Sequence, residues 1–178
     1  MSKITHSAYD VLSPWVTLVT NSIDMGSGKL EDFHSLLQSD YVSVFAVTPD
    51  GMIPLVKQFR PAVNALTLEL PGGLIDRAEN PEIVAVKELF EETGYMPIEP
   101  PILLGTLLPD TGRLANKLWG YFIKVDSANK WIPEPNLENI LFNKDQLKGA
   151  MYDGTFNHAL HIALIGLAMT RGLFSFDN

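Results

Sequence analysis

Three glutamates gather near the end of one helical stretch, and their type and spacing suit the binding of a divalent cation. Glu88, Glu91 and Glu92 lie within the sequence GLIDRAENPEIVAVKELFEETGY, which runs from residue 73 to residue 95. At about 100° of rotation per residue, a helix places these side chains on one arc about 100° wide. Glu88 and Glu92 then repel each other at i and i+4, and all three face the negative end of the helix dipole.

Two interpretations of this acidic arc are open from the residues alone: a solvated acidic face and a cation site. Apolar Val84 and Ala85 flank the acids where a solvated face would carry Lys or Arg, which indicates an enclosed surface. Hard oxygen ligands select Mg²⁺ or Mn²⁺, and these ions neutralise phosphates and activate water. If the arc faces inward, it therefore predicts metal-dependent phosphate chemistry.

Local signals place the acidic helix between residues 81 and 93. Asn80 suits the N-cap, Pro81 suits the first helical position, and Gly94 is typical of the residue that follows a helix. The face opposite the acids, which we expect to dock on the core, carries Ile83, Val86 and Phe90.

The remaining elements are mostly strands, which we expect at residues 15–23, 41–47, 52–58, 65–69, 102–108 and 118–125. Helices are expected over residues 155–170 and, as a short element, over 143–148. The mixed order of strands and helices predicts an α+β architecture, because a doubly wound parallel sheet would alternate regularly. We expect a β-rich N-terminal lobe over residues 1–38 and a main domain over residues 39–178.

Composition narrows the function classes. The chain of 178 residues has no cysteine, which excludes disulfides, thiolate metal sites and cysteine nucleophiles. Its 21 acidic and 13 basic residues give a net charge of −8, so nucleic acid is not expected as a partner. No apolar run is long enough for a membrane span, and no secretory signal is visible at the N-terminus. We expect a cytoplasmic protein that does not bind membranes.

The acidic segment resembles the signature of the Nudix hydrolases. Nine positions carry this resemblance: Gly73, Glu79, Lys87, Glu88, Leu89, Glu91, Glu92, Gly94 and Tyr95. Lys87 is a departure, since the family has Arg there and the planar fork of an Arg would hold neighbouring carboxylates more firmly than a Lys. The resemblance implies an α/β/α sandwich with a mixed sheet, the Nudix fold.

The resemblance also implies a metal site. Glu88 and Glu92 would be the principal ligands of Mg²⁺, or of Mn²⁺, and Glu91 would assist. The carbonyl of Gly72 would be a further ligand, and Glu79 would be a supporting acid.

A wider resemblance, to the ADP-ribose and ADP-sugar pyrophosphatase branch, rests on residues 55–61, on residues 68–76 and on Pro109. It implies hydrolysis of a nucleoside diphosphate sugar, ADP-ribose first, to a nucleoside monophosphate and a sugar phosphate by water attack on the diphosphate. Three alternatives remain open: GDP-mannose as the substrate, a nucleoside triphosphate as the substrate, or a binding module without catalysis.

The branch resemblance assigns roles to residues outside the signature. Arg60 and Glu69 fall in substrate-binding segments, and the guanidinium of Arg60 would contact phosphate. Trp15 and Phe33 would stack on adenine across a homodimer, although each could equally be a core or dimer contact. The loop over residues 109–116 departs from the branch, whose members carry a Glu in it, and we expect Arg113 to meet a phosphate or the sugar instead.

The general base is expected on a Pro-rich, loop-like stretch over residues 131–140. Glu138 matches the expected position best and Glu134 second, while Glu91 is a further catalytic candidate; a solvated loop acid is the alternative for either loop residue. His158 and His161 are spaced for a metal pair but have no third ligand nearby in the sequence, so we expect them to be core-edge histidines.

Overall fold

A computed structural model of the chain describes residues 2–26, 28–76, 79–127, 131–132 and 134–177. Within these residues it has ten strands and three helices. In chain order they are β1 (Lys3–Ser13), β2 (Val16–Asp24), β3 (Leu30–Leu37), β4 (Tyr41–Val47), β5 (Ile53–Arg60), β6 (Ala65–Glu69), α1 (Pro81–Thr93), β7 (Tyr95–Pro97), β8 (Ile102–Leu107), β9 (Leu118–Ser127), β10 (Leu137–Phe142), α2 (Lys144–Asp153) and α3 (Ala159–Thr170).

One compact unit comprises residues 1–40 together with residues 108–118. Its strands form an antiparallel sheet in the order β1-β2-β3. The 108–118 segment is joined to β3 by two backbone hydrogen bonds, from Leu36 N to Arg113 O at 2.7 Å and from Ala115 N to Leu36 O at 3.1 Å. Val19 is buried, but much of the sheet's apolar surface is exposed, including Tyr9 and Val11.

The second unit comprises residues 41–107 and 119–178 and holds most of the core. Strands β10, β5 and β6 form one antiparallel sheet, and β4, β9 and β7 form another, with β8 paired to β9. Apolar side chains of β4, α1 and β9 pack into one cluster, whose members are Val42, Val44, Ala46, Val84, Ala85, Leu89, Tyr121, Ile123 and Val125. The α+β class is therefore confirmed.

Helix α1 has the predicted ends. The side chain of Asn80 accepts a hydrogen bond from Glu82 N, and Gly94 follows the last turn at a φ of 74°. A left-handed φ of this kind is readily available to glycine and costly for other residues, which explains the stop.

The predicted core face of α1 is wrong. Ile83 is 67% exposed, and Val86 and Phe90 are only partly buried. The face that packs inward instead carries Val84, Ala85, Leu89, Glu92 and Thr93. The helix is turned this way because its buried arc includes a carboxylate that is hydrogen-bonded to the backbone, so apolar spacing alone does not reveal the docked side.

The other two helices shift relative to the prediction. Helix α2 runs to residue 153 instead of ending at 148, and an Asn143–Gln146 capping box begins it. Helix α3 begins at Ala159, four residues later than expected, and ends at Thr170 as predicted. Within the described residues, no helix combines the length and the apolar character needed to cross a membrane.

Candidate active site

The buried carboxylate of Glu92 is joined to the glycine pair that follows β6. Glu92 is 6% exposed, and its Oε2 accepts a hydrogen bond from the amide of Gly72 at 2.8 Å. On the other side of this chain segment, Val44 N donates to Pro71 O at 2.9 Å and Val42 N donates to Gly73 O at 2.8 Å. Because carbonyls alternate in extended backbone, the Gly72 carbonyl is expected on the Glu92 side.

Both glycines are needed for close approach. A Cβ on Gly72 would overlap Val42 O and lie 2.8 Å from Ser43 Cα, so the backbone of this segment packs directly on β4. A Cβ on Gly73 would lie 2.8 Å from Glu88 Oε1 and 2.5 Å from Glu88 Cδ, so the Glu88 carboxylate rests on this glycine. The Gly72–Gly73 pair therefore brings backbone and two carboxylates of α1 together.

The three glutamates in the second half of α1 are not equivalent. Glu92 is buried and Glu88 is half-buried, whereas Glu91 lies at the margin, where its Oε2 is 3.9 Å from Lys87 Nζ. Lys87, at the position where the signature has Arg, thus pairs with Glu91 one turn along the helix.

Burial and mutual repulsion favour the protonated forms of the two inner carboxylates. Desolvation is the main cause that raises the pKa of Glu92 to about 8; the charges of Glu88 and Glu134 add to it, while the Gly72 amide and Arg60 oppose it. Desolvation likewise raises the pKa of Glu88, with Glu91, Glu134 and Glu79 adding repulsion. This site holds more negative charge than the protein itself compensates.

The oxygen atoms of this site suit a divalent cation, but side chains supply only some of them. Among the described residues, no group of three or more Asp, Glu, His or Cys side chains converges as a metal cluster. Two carboxylates and one backbone carbonyl remain, namely those of Glu88, Glu92 and Gly72. Mg²⁺ usually keeps several waters and needs few protein oxygens, so this all-oxygen set with uncompensated negative charge fits it.

Arg60 is held in place by a buried partner. Its Nε donates to Glu69 Oε1 at 2.8 Å and its Nη2 donates to Glu69 Oε2 at 2.6 Å, while Thr67 Oγ1 also donates to Oε1 at 2.6 Å. Burial alone would raise the pKa of Glu69, but the hydrogen bonds from Arg60 and Thr67 outweigh it and lower the pKa to about 2. The positive charge of Arg60 also acts on Glu92.

The two loop candidates for a general base have different surroundings. Glu138 lies in β10, opposite Lys57 of β5, and its Oε2 is 3.8 Å from Lys57 Nζ. The loop predicted over residues 131–140 therefore ends at β10, which begins at Leu137, and Pro133 lies outside the described residues. Glu134 precedes β10, and its charge acts on both Glu88 and Glu92.

Three predicted substrate contacts lie in the unit formed by residues 1–40 and 108–118. Trp15 and Phe33 are exposed there, and the side chain of Arg113 is exposed and lies 3.8 Å from Asp110.

His158 and His161, which we expected at a core edge, stack with ring centroids 3.8 Å apart, and His161 Nδ1 accepts a hydrogen bond from Leu70 N.

Sequence reasoning missed three residues around this site. Thr67 supports Glu69, Trp131 donates from Nε1 to Glu91 O at 3.0 Å, and Asn139 donates from Nδ2 to Thr93 O at 2.9 Å. Alternation along β6, which puts Thr67 and Glu69 on one face, could have indicated the first. The other two bonds link residues 40 or more positions apart, and no local pattern carries that information.

The fold and this site define a Nudix protein. Residues 38–157 match the NUDIX domain family, so the chain belongs to the Nudix hydrolase family. A solved structure described as "Crystal structure of ADP compounds hydrolase" superimposes with a TM-score of 0.80 over 97% of each chain at 18% identity, which confirms the Nudix fold.

Sequence relatives confirm the predicted branch. The chain is 36% identical to the ADP-ribose pyrophosphatase of Bacillus subtilis over 80 residues, which cover 45% of this chain and 43% of that protein. It is 46% identical to the ADP-sugar pyrophosphatase of Mus musculus over 61 residues, which cover 32% of this chain and 28% of that one. These matches span less than half the length of the curated relatives.

Proposed function

We propose that the protein is a divalent-metal-dependent hydrolase of nucleoside diphosphate derivatives, with nucleoside diphosphate sugars as its substrate class and ADP-ribose as the first candidate. The observation that carries this proposal is the buried Glu92 carboxylate, bonded to the Gly72 amide beside Glu88 in the Nudix segment. The activities for which the relatives are named, ADP-ribose pyrophosphatase and ADP-sugar pyrophosphatase, support the substrate class.

Glu88, Glu92 and the Gly72 carbonyl are the groups proposed to hold Mg²⁺ or Mn²⁺, with Glu91 and Glu79 in supporting roles. A cation bound there supplies charge neutralisation for the diphosphate and lowers the pKa of a bound water. The raised pKa values of Glu88 and Glu92 support this assignment, because a bound cation would compensate both the burial and the mutual repulsion that raise them.

Arg60 is proposed to bind a phosphate of the substrate. Nε and one N–H of Nη2 are bonded to Glu69, so the N–H groups of Nη1 and the second N–H of Nη2 are the donors proposed for a phosphate oxygen. Glu69 is then a positioning residue: its two bonds fix the plane of the guanidinium, and an oriented cation needs less reorganisation when substrate arrives.

Glu134 is the general base that the surroundings favour over Glu138. It lines one cavity with Glu91, and its charge raises the pKa of both inner glutamates, whereas Glu138 is paired with Lys57 in a β ladder. As base, Glu134 would take the proton of the attacking water; the new P–O bond forms as the bridging P–O bond breaks, and a nucleoside monophosphate and a sugar phosphate leave.

The unit formed by residues 1–40 and 108–118 is proposed to make a homodimer and to supply base and sugar contacts through Trp15, Phe33 and Arg113. The exposed apolar side chains of β1 and β3 support this, since a three-stranded sheet that leaves so much apolar surface exposed favours association.

Product analysis over a nucleotide panel tests the proposal. Purified protein with Mg²⁺ would be given ADP-ribose, GDP-mannose and a nucleoside triphosphate, with an excess of EDTA as the control. We expect AMP and a sugar phosphate from ADP-ribose at the highest kcat/KM. A triphosphate preference would overturn the sugar assignment, and tight binding without turnover would indicate the binding module instead.

A further inference from the structure

The last turn of α1 is capped by side chains from a distant part of the chain. The final carbonyls of a helix have no partner within it. Here Phe90 O accepts from Gly94 N at 2.9 Å, Glu91 O accepts from Trp131 Nε1 at 3.0 Å, and Thr93 O accepts from Asn139 Nδ2 at 2.9 Å. Two donors therefore reach this helix end from the chain segment that also carries Glu134.

The indole of Trp131 is seated as well as hydrogen-bonded. A Cβ on Gly94 would lie 2.6 Å from Trp131 Cδ2 and 2.7 Å from Trp131 Cγ, so the ring packs directly on the glycine backbone. Two features therefore favour glycine at position 94: the backbone φ of 74° and the close packing of the Trp131 ring on this residue.

Asn139 makes the second attachment from a partly buried position. Its Oδ1 is buried and has no hydrogen-bond partner among the described residues, so the bond from Nδ2 to Thr93 O is the contact that this amide makes with α1.

Glu134 lies between these two attachments at the start of a tight turn. Leu137 N donates to Glu134 O at 3.4 Å, Pro135 fixes the next φ, and Asn136 adopts a left-handed φ of 66°. This is the residue pattern of a type II turn. β10 begins immediately afterwards. Glu134 lines one cavity with Trp131 and with Glu91 of the acidic helix, and its charge also raises the pKa of Glu88 and Glu92.

We infer that Trp131 and Asn139 are positioning residues that clamp the Glu134 turn to the end of α1 and so set the distance between Glu134 and the acidic site. This inference rests on the proposed function, in which Glu134 is the base. The simpler alternative is that the two side chains only cap the helix, in which case they would affect stability but would not act through Glu134.

A double-mutant cycle separates these possibilities. The variants are Trp131→Ala, Glu134→Gln and the double variant, with ADP-ribose and Mg²⁺ as the probe. We expect Glu134→Gln to lower kcat by about 10²- to 10⁴-fold. Trp131→Ala should lower kcat by about 10²-fold with little change in KM, because it misplaces the base. In the Glu134→Gln background, Trp131→Ala should have no further effect on kcat.

Two further variants refine the result. Trp131→Phe keeps a ring on Gly94 but removes the donor, and Asn139→Ala removes the second donor; each should lower kcat by about tenfold. Ile132→Ala is the matched control, since Ile132 is the exposed neighbour of Trp131, and it should leave kcat unchanged. Additive effects of Trp131→Ala and Glu134→Gln would overturn the positioning role.

Hydrogen exchange of the metal-free protein gives a readout that does not depend on turnover. Trp131→Ala should speed exchange of the amides at residues 137–139 and leave Val44 in the core unchanged. Unchanged exchange at 137–139 would overturn the clamp itself. If wild-type protein hydrolyses nothing in the panel, the proposed function and the role of Glu134 fall together, whereas the exchange result still decides whether the clamp exists.

Discussion

The amide of Gly72 donates a hydrogen bond of 2.8 Å to the carboxylate of Glu92, twenty residues further along the chain. This bond joins the end of β6 to α1 and explains why an acidic residue lies in the buried arc of the helix. The Glu92 and Glu88 carboxylates thus lie against the Gly72–Gly73 segment, and the Gly72 carbonyl is expected on the same side from the alternation of extended backbone.

Gly73→Ala should impair activity far more than stability. The added Cβ would displace the Glu88 carboxylate, which can move without disturbing the core, so unfolding should change little. Displacing this proposed metal ligand by about 1 Å should lower kcat by about 10²-fold. Gly149→Ala is the control: this glycine lies in α2 with open space around it, so alanine should stabilise the protein by about 0.5–1 kcal/mol at unchanged kcat.

Arg60→Gln should both raise KM and destabilise the fold. It removes the phosphate contact and leaves the buried Glu69 carboxylate without its charge partner. We expect a loss of about 1–3 kcal/mol, less than for a fully buried pair because Arg60 is half-exposed. Urea unfolding would measure it, and adding Glu69→Gln should restore part of the stability but not KM. Full stability in Arg60→Gln alone would contradict the pairing.

His161 should make the protein acid-sensitive. Burial, aided by His158, lowers the pKa of His161 to about 3. Between pH 6.5 and 3 the unfolded chain binds the additional proton, so stability falls as the pH is lowered. At pH 5 the loss relative to pH 7 should reach about 2 kcal/mol, at 1.36 kcal/mol for each unit below 6.5.

His161→Gln tests this assignment, because glutamine can still accept the hydrogen bond from Leu70 N but does not titrate. Urea unfolding at pH 7 and at pH 5 should show a smaller difference in the variant than in wild type. An identical difference in both proteins would show that other groups account for the acid sensitivity.

The exposed sheet of β1, β2 and β3 should mediate a dimer. Val11 is 77% exposed on β1, and Val11→Asp would place a charge on the proposed interface. Light scattering after size exclusion should give a dimeric mass for wild type and a monomeric mass for the variant. Tyr152→Asp, at an equally solvent-facing position that is 95% exposed on α2, should remain dimeric. A monomeric wild type at tens of micromolar would refute the dimer.

Local signals predicted α1 well because its ends depend on local chemistry. Asn80, Pro81 and Gly94 act within one or two turns, so the sequence contains what is needed. The prediction of the docked face was wrong, because that face depends on a contact with Gly72, which lies outside the helix. Apolar side chains lie on both sides of α1, so the hydrophobic pattern does not indicate which side packs on the core.

The glutamates proposed as metal ligands were predicted from the signature, but their surroundings were not. The partners of Arg60 and Glu138 belong to neighbouring strands, and the ladder register that pairs Glu138 with Lys57 is set by β5 and β10 together. The same holds for Trp131 and Asn139, whose donors reach carbonyls of α1. Such long-range pairings depend on tertiary structure, so a single sequence does not specify them.

A single comparison decides whether the Glu92 carboxylate holds a catalytic metal ion. It is the rate at which AMP is released from ADP-ribose by wild-type protein and by Glu92→Gln in the same Mg²⁺ buffer. The glutamine keeps the size of the side chain and an acceptor for the Gly72 amide but removes the charge. We expect wild-type turnover that EDTA abolishes and a loss of about 10³-fold or more in the variant. Equal rates in the two proteins, or no release of AMP by either, would contradict metal-dependent catalysis through Glu92.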